Sequence, residues 1–256
     1  AANGIHTAHQ DSTPLILFIG QVSRDERERE AQQEIDYKEM FKPMAKYVAE
    51  INDADRIPEF VNKAFHICQS GRPGPVVLSL PEDMLIDETT VNTTPAPRVI
   101  QASPSKSDIE DFYKKLNEAQ KPIIIVGGNT WSQEAINKVT KFVNDNSIAV
   151  LTSYRAQDRF DNRNENYIGH SSYAIPPETK KRIEESDFIL ALGARLGEVT
   201  TQGYSTLKVP KPDQFLVHVH PGIEELGSVY YPDIAINSGM LEFANALSGL
   251  PKIAKP

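Results

Sequence analysis

Short runs of consecutive apolar residues recur along the chain, separated by amphipathic stretches and turns. These runs predict strands at 15–19, 46–50, 76–80, 123–126, 148–151, 188–192, 215–219 and 234–236. Several runs are continuous rather than alternating, which is expected when both faces of a parallel sheet are covered.

Between these runs, apolar residues recur at helical spacing. The spacing predicts helices at 58–69, 107–119, 132–144, 178–185, 222–230 and 240–248. Ser107 and Glu110 have the spacing of a capping box, in which each side chain satisfies a free backbone donor of the first turn. Strands that alternate with helices indicate right-handed βαβ units, so the predicted fold class is α/β.

The segment 87–105 interrupts this alternation. It is rich in threonine and proline and has little apolar periodicity. This composition predicts an extended surface linker. An irregular loop within one domain is the alternative, although loops of this length are uncommon in compact domains. We therefore divide the chain into a first region at 1–86, a linker at 87–105 and a second region at 106–256.

The first region has too few elements for a complete doubly wound domain. Its predicted strands and helices make about half of one, and a parallel sheet cut in this way exposes an apolar edge or face. The pattern also opens directly into a strand, with no preceding helix. We therefore expect an incomplete sheet whose partners lie outside this chain.

The composition is that of an ordinary folded protein, with 39% hydrophobic and 24% charged residues. The formal net charge of −8 argues against a nucleic-acid partner, because phosphate binding needs clustered Lys and Arg. No apolar run approaches the roughly 20 residues of a membrane span. The first residues have neither the basic nor the apolar part of a signal peptide. We expect a cytoplasmic protein without a membrane partner.

Three further features have structural and functional alternatives. Cys68, the only cysteine, lies in a helix pattern, where a buried inert thiol is favoured over a nucleophile. The run 24–30 mixes charges of both signs and predicts a solvated helix face. His218 and His220 share one face of a predicted strand. No nearby set of ligands completes a metal site, so we predict no metal and favour satisfied or surface histidines.

Short motifs follow one another in both regions. The first region contains GIHTAHQDSTPL at 4–15, GQV at 20–22, AQQE at 31–34, SGRPGPV at 70–76 and LPED at 80–83. The second contains VGG at 126–128, LGAR at 192–195 and HVH at 218–220. In this order the motifs resemble the acetolactate synthase family of thiamine-diphosphate enzymes, and the GRPGP segment is the most specific of them.

The resemblance implies a three-domain enzyme of which this chain holds two parts. These are the back half of a flavodoxin-like pyrimidine-binding domain at 1–86 and a Rossmann-like central domain at 106–256. The glutamate that activates the cofactor in this family would precede residue 1. The Gly-Asp-Gly motif that holds magnesium and the diphosphate does not occur in the sequence. We therefore expect an inactive fragment of a homodimeric or homotetrameric enzyme that uses thiamine diphosphate and magnesium on 2-keto acids.

The resemblance also implies catalytic candidates in the first region. Gln33 matches the family position that projects towards substrate, and Gln21 and Glu34 are secondary candidates. An amide can donate to a developing alkoxide and accept from a hydroxyl without a change of charge. The alternative is that all three are solvated turn residues.

Two departures from the family pattern bear on specificity. Gln32 stands where the family commonly has Phe, and Glu82 stands where many acetolactate synthases have Lys. Gln32 removes an aromatic wall from the substrate side that the resemblance implies, and Glu82 reverses a charge. A decarboxylase of the same superfamily, acting on an oxalyl thioester or a 2-keto acid, is therefore the alternative enzyme.

The second region raises the question of a bound nucleotide, since central domains of this family bind FAD, ADP or nothing. Gly127 and Gly128 would let backbone amides approach a pyrophosphate, and Arg195 could contact phosphate or ribose. A strand-to-helix turn that needs small residues is the alternative. Acidic positions typical of the FAD enzymes are occupied here by His220, Gly222 and Gly239. FAD is therefore not favoured, and a non-catalytic nucleotide-binding module is the alternative of a different class.

Overall fold

The computed structural model describes residues 1–254, which form two compact units divided between Ile100 and Gln101. The segment 87–105, around this division, contains neither helix nor strand. Each unit is built on a parallel β-sheet, so the predicted α/β fold class is confirmed. The assignment of 1–86 and 106–256 to particular domains of an enzyme stays a prediction. Among the described residues, no helix combines the length and apolarity needed to cross a membrane.

The first unit has a three-stranded sheet with helices on both of its faces. Its elements are α1 (Ala2–Asp11), β1 (Leu15–Gln21), α2 (Tyr37–Phe41), β2 (Tyr47–Glu50), α3 (Ile57–Gln69) and β3 (Pro75–Pro81). The strand order is β1-β3-β2, and both pairings are parallel. Val76 and Leu78 pack on the α3 side, whereas Val77 packs with Ile5 of α1 and Phe41 of α2. Because β3 is covered on both faces, its apolar run is continuous.

The prediction that the chain opens directly into a strand is wrong, because α1 precedes β1. Only Ile5 and Ala8 of this helix are buried, so its apolar stripe is too narrow to stand out in the sequence. Arg72 of the GRPGP segment binds the carboxyl end of α1. The Nη2 atom donates to the His9 carbonyl at 2.6 Å, and Nε donates to Ser12 Oγ at 2.9 Å.

β1 forms one edge of the first sheet. None of the apolar residues from Leu15 to Ile19 is fully buried, and Phe18 is 49% exposed. Apolar edges of this kind are uncommon in natural sheets, which cover or charge them. That the missing partners belong to another part of a longer protein stays a prediction.

The second unit is a doubly wound α/β domain. Its elements are α4 (Lys106–Glu118), β4 (Pro122–Val126), α5 (Gln133–Asn146), β5 (Ala149–Ser153), β6 (Tyr167–Ser171), α6 (Pro177–Glu184), β7 (Phe188–Leu192), β8 (Phe215–His220), β9 (Ile234–Asn237) and α7 (Met240–Ser248). The strand order is β6-β5-β4-β7-β8-β9, and every pairing is parallel. Residues of α4, α5 and α7 pack in the apolar core of one face, and α6 contributes to the core of the other.

Two predicted helical features of the second unit are wrong. The predicted helix at 222–230 is a single 3₁₀ turn at Ile223–Glu225, because Gly227 has a φ of 79° and ends helical geometry. The capping box of α4 is formed by Ser105 and Asp108, not by Ser107 and Glu110. Both pairs have the same spacing, so the sequence pattern does not distinguish them.

The predicted helix face at 24–30 is also wrong, because this run forms successive turns. Glu28 and Glu30 have φ angles of 63° and 56°, in the left-handed region that a helix cannot use. The sequence analysis also missed β6, an edge strand whose residues are mostly half-buried. Its apolar run is interrupted by Gly169 and His170.

Candidate functional site

The carboxyl end of β1 carries Gln21, whose side chain is buried. Its Nε2 atom donates to the Ile35 carbonyl at 2.7 Å, and its Oε1 atom accepts from the Val22 N–H at 3.0 Å. Buried amides need such partners, because an unpaired polar group inside a protein costs free energy. Gln21 therefore ties the segment 22–35 to the sheet, and it is not a solvated turn residue.

Gln21 also belongs to a polar cluster that joins the carboxyl ends of all three strands. Its Nε2 atom lies 3.5 Å from Oε2 of Glu50 at the end of β2, and Ser79 Oγ of β3 donates to the same oxygen at 3.3 Å. Arg27 Nη2 lies 3.6 Å from this carboxylate. The cluster places Arg27, Glu50 and Ser79 beside a predicted residue, although the sequence analysis did not identify them.

Glu34 closes the segment 22–35 on itself. Its carboxylate accepts hydrogen bonds from the backbone N–H groups of Glu28 at 2.7 Å and Ala31 at 3.3 Å. Arg27 Nη1 lies 3.4 Å from Glu34 Oε1. Backbone hydrogen bonds, chiefly the one from Glu28, hold the pKa of Glu34 below its usual range. In this arrangement Glu34 is an ionised acceptor that fixes the turns.

Gln33 lies in the same segment, next to Glu34. Its side chain is exposed, and its φ of 72° puts a non-glycine residue in the left-handed region. Such backbone conformations persist only where the surroundings hold them, and they are common at functional sites. Gln33 and Glu34 therefore lie in one segment, which Gln21 holds to the sheet through Ile35, and Gln33 is an exposed amide of that segment.

The segment after β1 is fixed to the segment after β3 by a second group of charges. Arg24 Nε donates to Asp83 Oδ2 at 2.6 Å, and its Nη2 atom donates to Asp87 Oδ2 at 2.9 Å. The guanidinium of Arg24 holds the pKa of Asp83 below its usual range. Ser23 Oγ donates to Glu82 Oε1 at 3.0 Å, so Glu82 has a local structural partner.

In the second unit, Gly127 and Gly128 follow β4, and Gly193 follows β7. The Gly127 N–H donates to the Leu192 carbonyl at 3.0 Å, and a Cβ atom on Gly127 would lie 2.8 Å from Cα of Ala194. Gly127 is therefore required by the close approach of two strand ends. The alternative prediction of a turn that needs small residues accounts for these contacts.

Arg195, which is half-buried, forms an ion pair with a buried acid. Its Nε atom lies 2.9 Å from Oε2 of Glu225, a residue that is 8% exposed. The pair lines a small pocket together with Tyr204, His218 and Tyr230. Within residues 1–254, the buried Tyr230 hydroxyl has no hydrogen bond of good geometry. Burial raises the pKa of Tyr230, an effect that Thr201 partly offsets.

His218 and His220 are buried, with ring centres 6.0 Å apart. His218 Nε2 lies 3.0 Å from the Ala194 carbonyl, and His220 Nδ1 accepts from the Gly222 N–H at 3.0 Å. Each ring therefore has at least one hydrogen-bond partner within the fold. In the part of the chain that is described, no group of three or more His, Cys, Asp or Glu side chains could hold a metal ion. Cys68 is also buried, and burial raises the pKa of its thiol, as expected for an inert cysteine.

Comparison with known proteins identifies the second unit. Residues 109–247 match the family described as "Thiamine pyrophosphate enzyme, central domain". This match covers more than half of the chain and includes every strand and all or most of each α-helix of the second unit.

Curated relatives align with both units. The acetolactate synthase large subunit of Cyanidium caldarium is 30% identical over 248 residues, which cover 92% of this chain and 41% of the relative. The corresponding protein of Lactococcus lactis subsp. lactis is 28% identical, over 99% of this chain and 44% of the relative. The acetolactate synthase of Bacillus subtilis is 25% identical, over 92% of this chain and 41% of the relative. The chain thus spans about two fifths of the length of these relatives. It belongs to the family of thiamine pyrophosphate enzymes and contains their central domain.

Proposed function

We propose that the chain is part of an acetolactate synthase-like enzyme, a thiamine-diphosphate-dependent carboligase or decarboxylase that acts on 2-keto acids. The observation that carries this proposal is the match of residues 109–247 to the central domain of thiamine pyrophosphate enzymes. Relatives that are named acetolactate synthase and align with 92% to 99% of the chain support it.

The chain's share of the cofactor site is limited in this proposal. Thiamine diphosphate is the cofactor that the family implies. The sequence contains no Gly-Asp-Gly, and no cluster of metal-ligating side chains occurs in the described residues. We therefore assign no magnesium or diphosphate ligand to this chain. Other parts of the full-length protein would supply these ligands.

Within the first unit, the proposal assigns Gln33 to the substrate side. Its exposed amide stands beside Glu34, whose carboxylate fixes the turns of the segment 22–35. Gln21 holds the carboxyl end of this segment through the Ile35 carbonyl, and Glu50 contacts its middle through Arg27. An amide in this position can bind a substrate carbonyl or hydroxyl without a change of charge. In this assignment Gln21 and Glu34 are positioning residues for Gln33.

A decarboxylase acting on an oxalyl thioester or another 2-keto acid is the second candidate. It is favoured by Gln32 and Glu82, which differ from the aromatic and cationic residues that acetolactate synthases commonly carry at these positions. An amide in place of an aromatic ring removes an apolar wall, which changes the acceptor that fits beside the cofactor.

The remaining assignments complete the proposal. Magnesium is proposed as the second cofactor of the full-length enzyme, which we propose to be a homodimer or homotetramer. A cytoplasmic location is proposed because the chain carries a single, buried, free cysteine.

The test is an assay of the full-length protein with thiamine diphosphate, magnesium and three substrates: pyruvate, oxalyl-CoA and a longer 2-keto acid. We expect turnover of one of them, with acetolactate formation from pyruvate as the first candidate. The 256-residue chain, assayed in parallel, is expected to be inactive. Failure of the cofactor-loaded full-length protein to release CO₂ from any of the three would contradict the proposal, as would turnover by the 256-residue chain alone.

A further inference from the structure

The six-stranded sheet of the second unit reverses its strand order between β4 and β7. In open α/β sheets, ligands bind at such a point, in the crevice outside the carboxyl ends of the strands. A nucleotide phosphate bound there would need free backbone N–H donors and space between the two turns.

The space between these two turns is filled by the chain itself. Val126 and Gly193 form an isolated bridge between the turns, in addition to the Gly127–Leu192 hydrogen bond. A Cβ atom on Gly193 would lie 2.6 Å from the Gly127 carbonyl oxygen and 2.7 Å from Sδ of Met240. The backbone of one turn and the Met240 side chain therefore occupy the crevice in which a ligand would lie.

The carbonyl groups of the turn after β4 are also occupied. The indole Nε1 of Trp131 donates to the Gly127 carbonyl at 2.7 Å. Arg159 donates to the Gly128 carbonyl and to Asn129 Oδ1, both at 3.3 Å. These three hydrogen bonds fix the turn in its present conformation, because opening it would leave polar groups unpaired.

The backbone donors at four neighbouring strand ends are bonded within the chain. After β4 and β7, the Gly127 N–H donates to Leu192 and the Gly193 N–H donates to Val219 at 2.8 Å. After β8, the Gly222 N–H donates to His220 Nδ1 at 3.0 Å. After β9, the Gly239 N–H donates to the Ala102 carbonyl at 2.9 Å. The backbone N–H groups of these four glycines therefore already have acceptors within the chain and are not available to a pyrophosphate.

The cation that the sequence analysis predicted for phosphate or ribose, Arg195, is neutralised by a buried acid. Arg195 pairs with Glu225, and this carboxylate would repel a phosphate placed beside the guanidinium. His218 lines the same pocket and is neutral at pH 7, so it adds no positive charge.

We infer that the carboxyl edge of the second sheet is a closed joint, formed by Gly127, Gly128, Gly193, Trp131 and Met240, and that the second unit binds neither FAD nor ADP. The domain then serves as a rigid scaffold in a fold that is built to hold nucleotides. This inference rests on contacts within the second unit and is independent of the proposed catalytic activity.

Calorimetric titration of the purified 256-residue chain with FAD and, separately, with ADP tests the inference. We expect no saturable heat up to about 1 mM of either compound, with circular dichroism establishing that the chain is folded. A saturable isotherm for either compound in this range overturns the inference. Such binding would leave the thiamine-diphosphate proposal intact, since that proposal is tested by turnover of the full-length protein.

A matched pair of glycine variants tests the joint itself. Gly127→Ala places Cβ against Ala194, whereas Gly197→Ala meets no atom within 4 Å. We expect Gly127→Ala to lower the folding equilibrium constant of the second unit at least tenfold, and Gly197→Ala to change it less than threefold. Urea unfolding followed by Trp131 fluorescence and circular dichroism measures both. Equal unfolding midpoints for the two variants overturn the inference, because a glycine kept for a phosphate would be free to accept a methyl group.

Discussion

The Nε2 atom of His218 lies 3.0 Å from the carbonyl oxygen of Ala194, and both residues are buried. A carbonyl only accepts hydrogen bonds, so Nε2 carries the proton of the neutral ring. Burial and the neighbouring His220 lower the pKa of His218 to about 4, although the hydrogen bond with Ala194 and the charge of Glu225 oppose the shift. The second unit is thus folded around an uncharged histidine.

This histidine predicts that the second unit loses stability in mild acid. Below the unfolded pKa of roughly 6.5, the unfolded chain binds a proton that the folded chain binds only near pH 4. The stability is therefore complete above pH 6.5 and falls as the pH falls towards 4, by up to about 3 kcal/mol. Urea unfolding at pH 7.5, 5.5 and 4.5, followed by Trp131 fluorescence, measures the loss.

His218→Gln is the matched variant, because a glutamine amide can still donate to Ala194 but does not titrate. We expect its unfolding free energy to fall less steeply between pH 6.5 and 4 than that of the wild type. Parallel pH profiles for the two proteins would assign the acid sensitivity to other groups.

The hydrogen bonds of Lys46 are expected to stabilise the first unit. Its Nζ atom donates to the carbonyl groups of Ile67, Ser70 and Arg72 at 2.6, 2.7 and 2.8 Å, at the carboxyl end of α3 and in the turn that follows it. Lys46→Met removes three charge-assisted hydrogen bonds, so we expect a loss of about 1–2 kcal/mol, with water replacing part of the interaction.

Hydrogen exchange of the β3 amides measures this loss, because the only tryptophan, Trp131, reports on the second unit. Lys42→Met is the control, since Lys42 is exposed on the same unit. We expect it to change the exchange free energy by less than about 0.5 kcal/mol. Equal protection in both variants would show that water replaces the lysine completely.

The sequence predicts the buried strands well and the edge elements poorly, for a physical reason. β4 and β7 are covered on both faces, so every position is under the same selection for apolar residues. β6 and α1 are only partly covered. In β6 the apolar run is interrupted at Gly169, and α1 buries only two residues, so neither element has a clear periodic pattern. The turn at Gly227 ended a predicted helix through backbone conformation, which an apolar pattern does not record.

The candidate site likewise contains residues that the sequence predicted and residues that it did not. The resemblance to a known family predicted Gln21, Gln33 and Glu34 from their motifs, and their roles stay a prediction. Glu50 and Ser79 were not identified, because they come from strands that are far apart in sequence and meet only through the parallel register of β2 and β3. Local spacing carries no information about such a contact, whereas the structure gives it directly.

The hydrogen bonds of Gln21 are expected to protect the segment 22–35 from proteolysis. Gln21→Met keeps the side-chain volume but removes the 2.7 Å hydrogen bond to Ile35 and the contact with Glu50. Loss of about 1.4 kcal/mol would raise the open population of the segment tenfold. We expect trypsin to cleave at Arg29 about tenfold faster, as measured by mass spectrometry. Gln33→Ala is the control and should be cleaved at the wild-type rate; equal rates in all three proteins would mean that Gln21 does not hold the segment.

Gln33 predicts a loss of activity without a loss of stability in the full-length enzyme. Its side chain is exposed, so Gln33→Ala should leave the unfolding midpoint of the first unit unchanged. If its amide contacts the substrate, the same change should lower kcat/KM by about tenfold to a hundredfold, the range for loss of one hydrogen bond in the transition state. Steady-state kinetics of the cofactor-saturated protein measures this, with Glu30→Ala as a control because Glu30 is exposed and left-handed in the same segment. Wild-type kinetics for Gln33→Ala would remove Gln33 from the site, whereas an equal loss in both variants would assign the effect to the conformation of the segment.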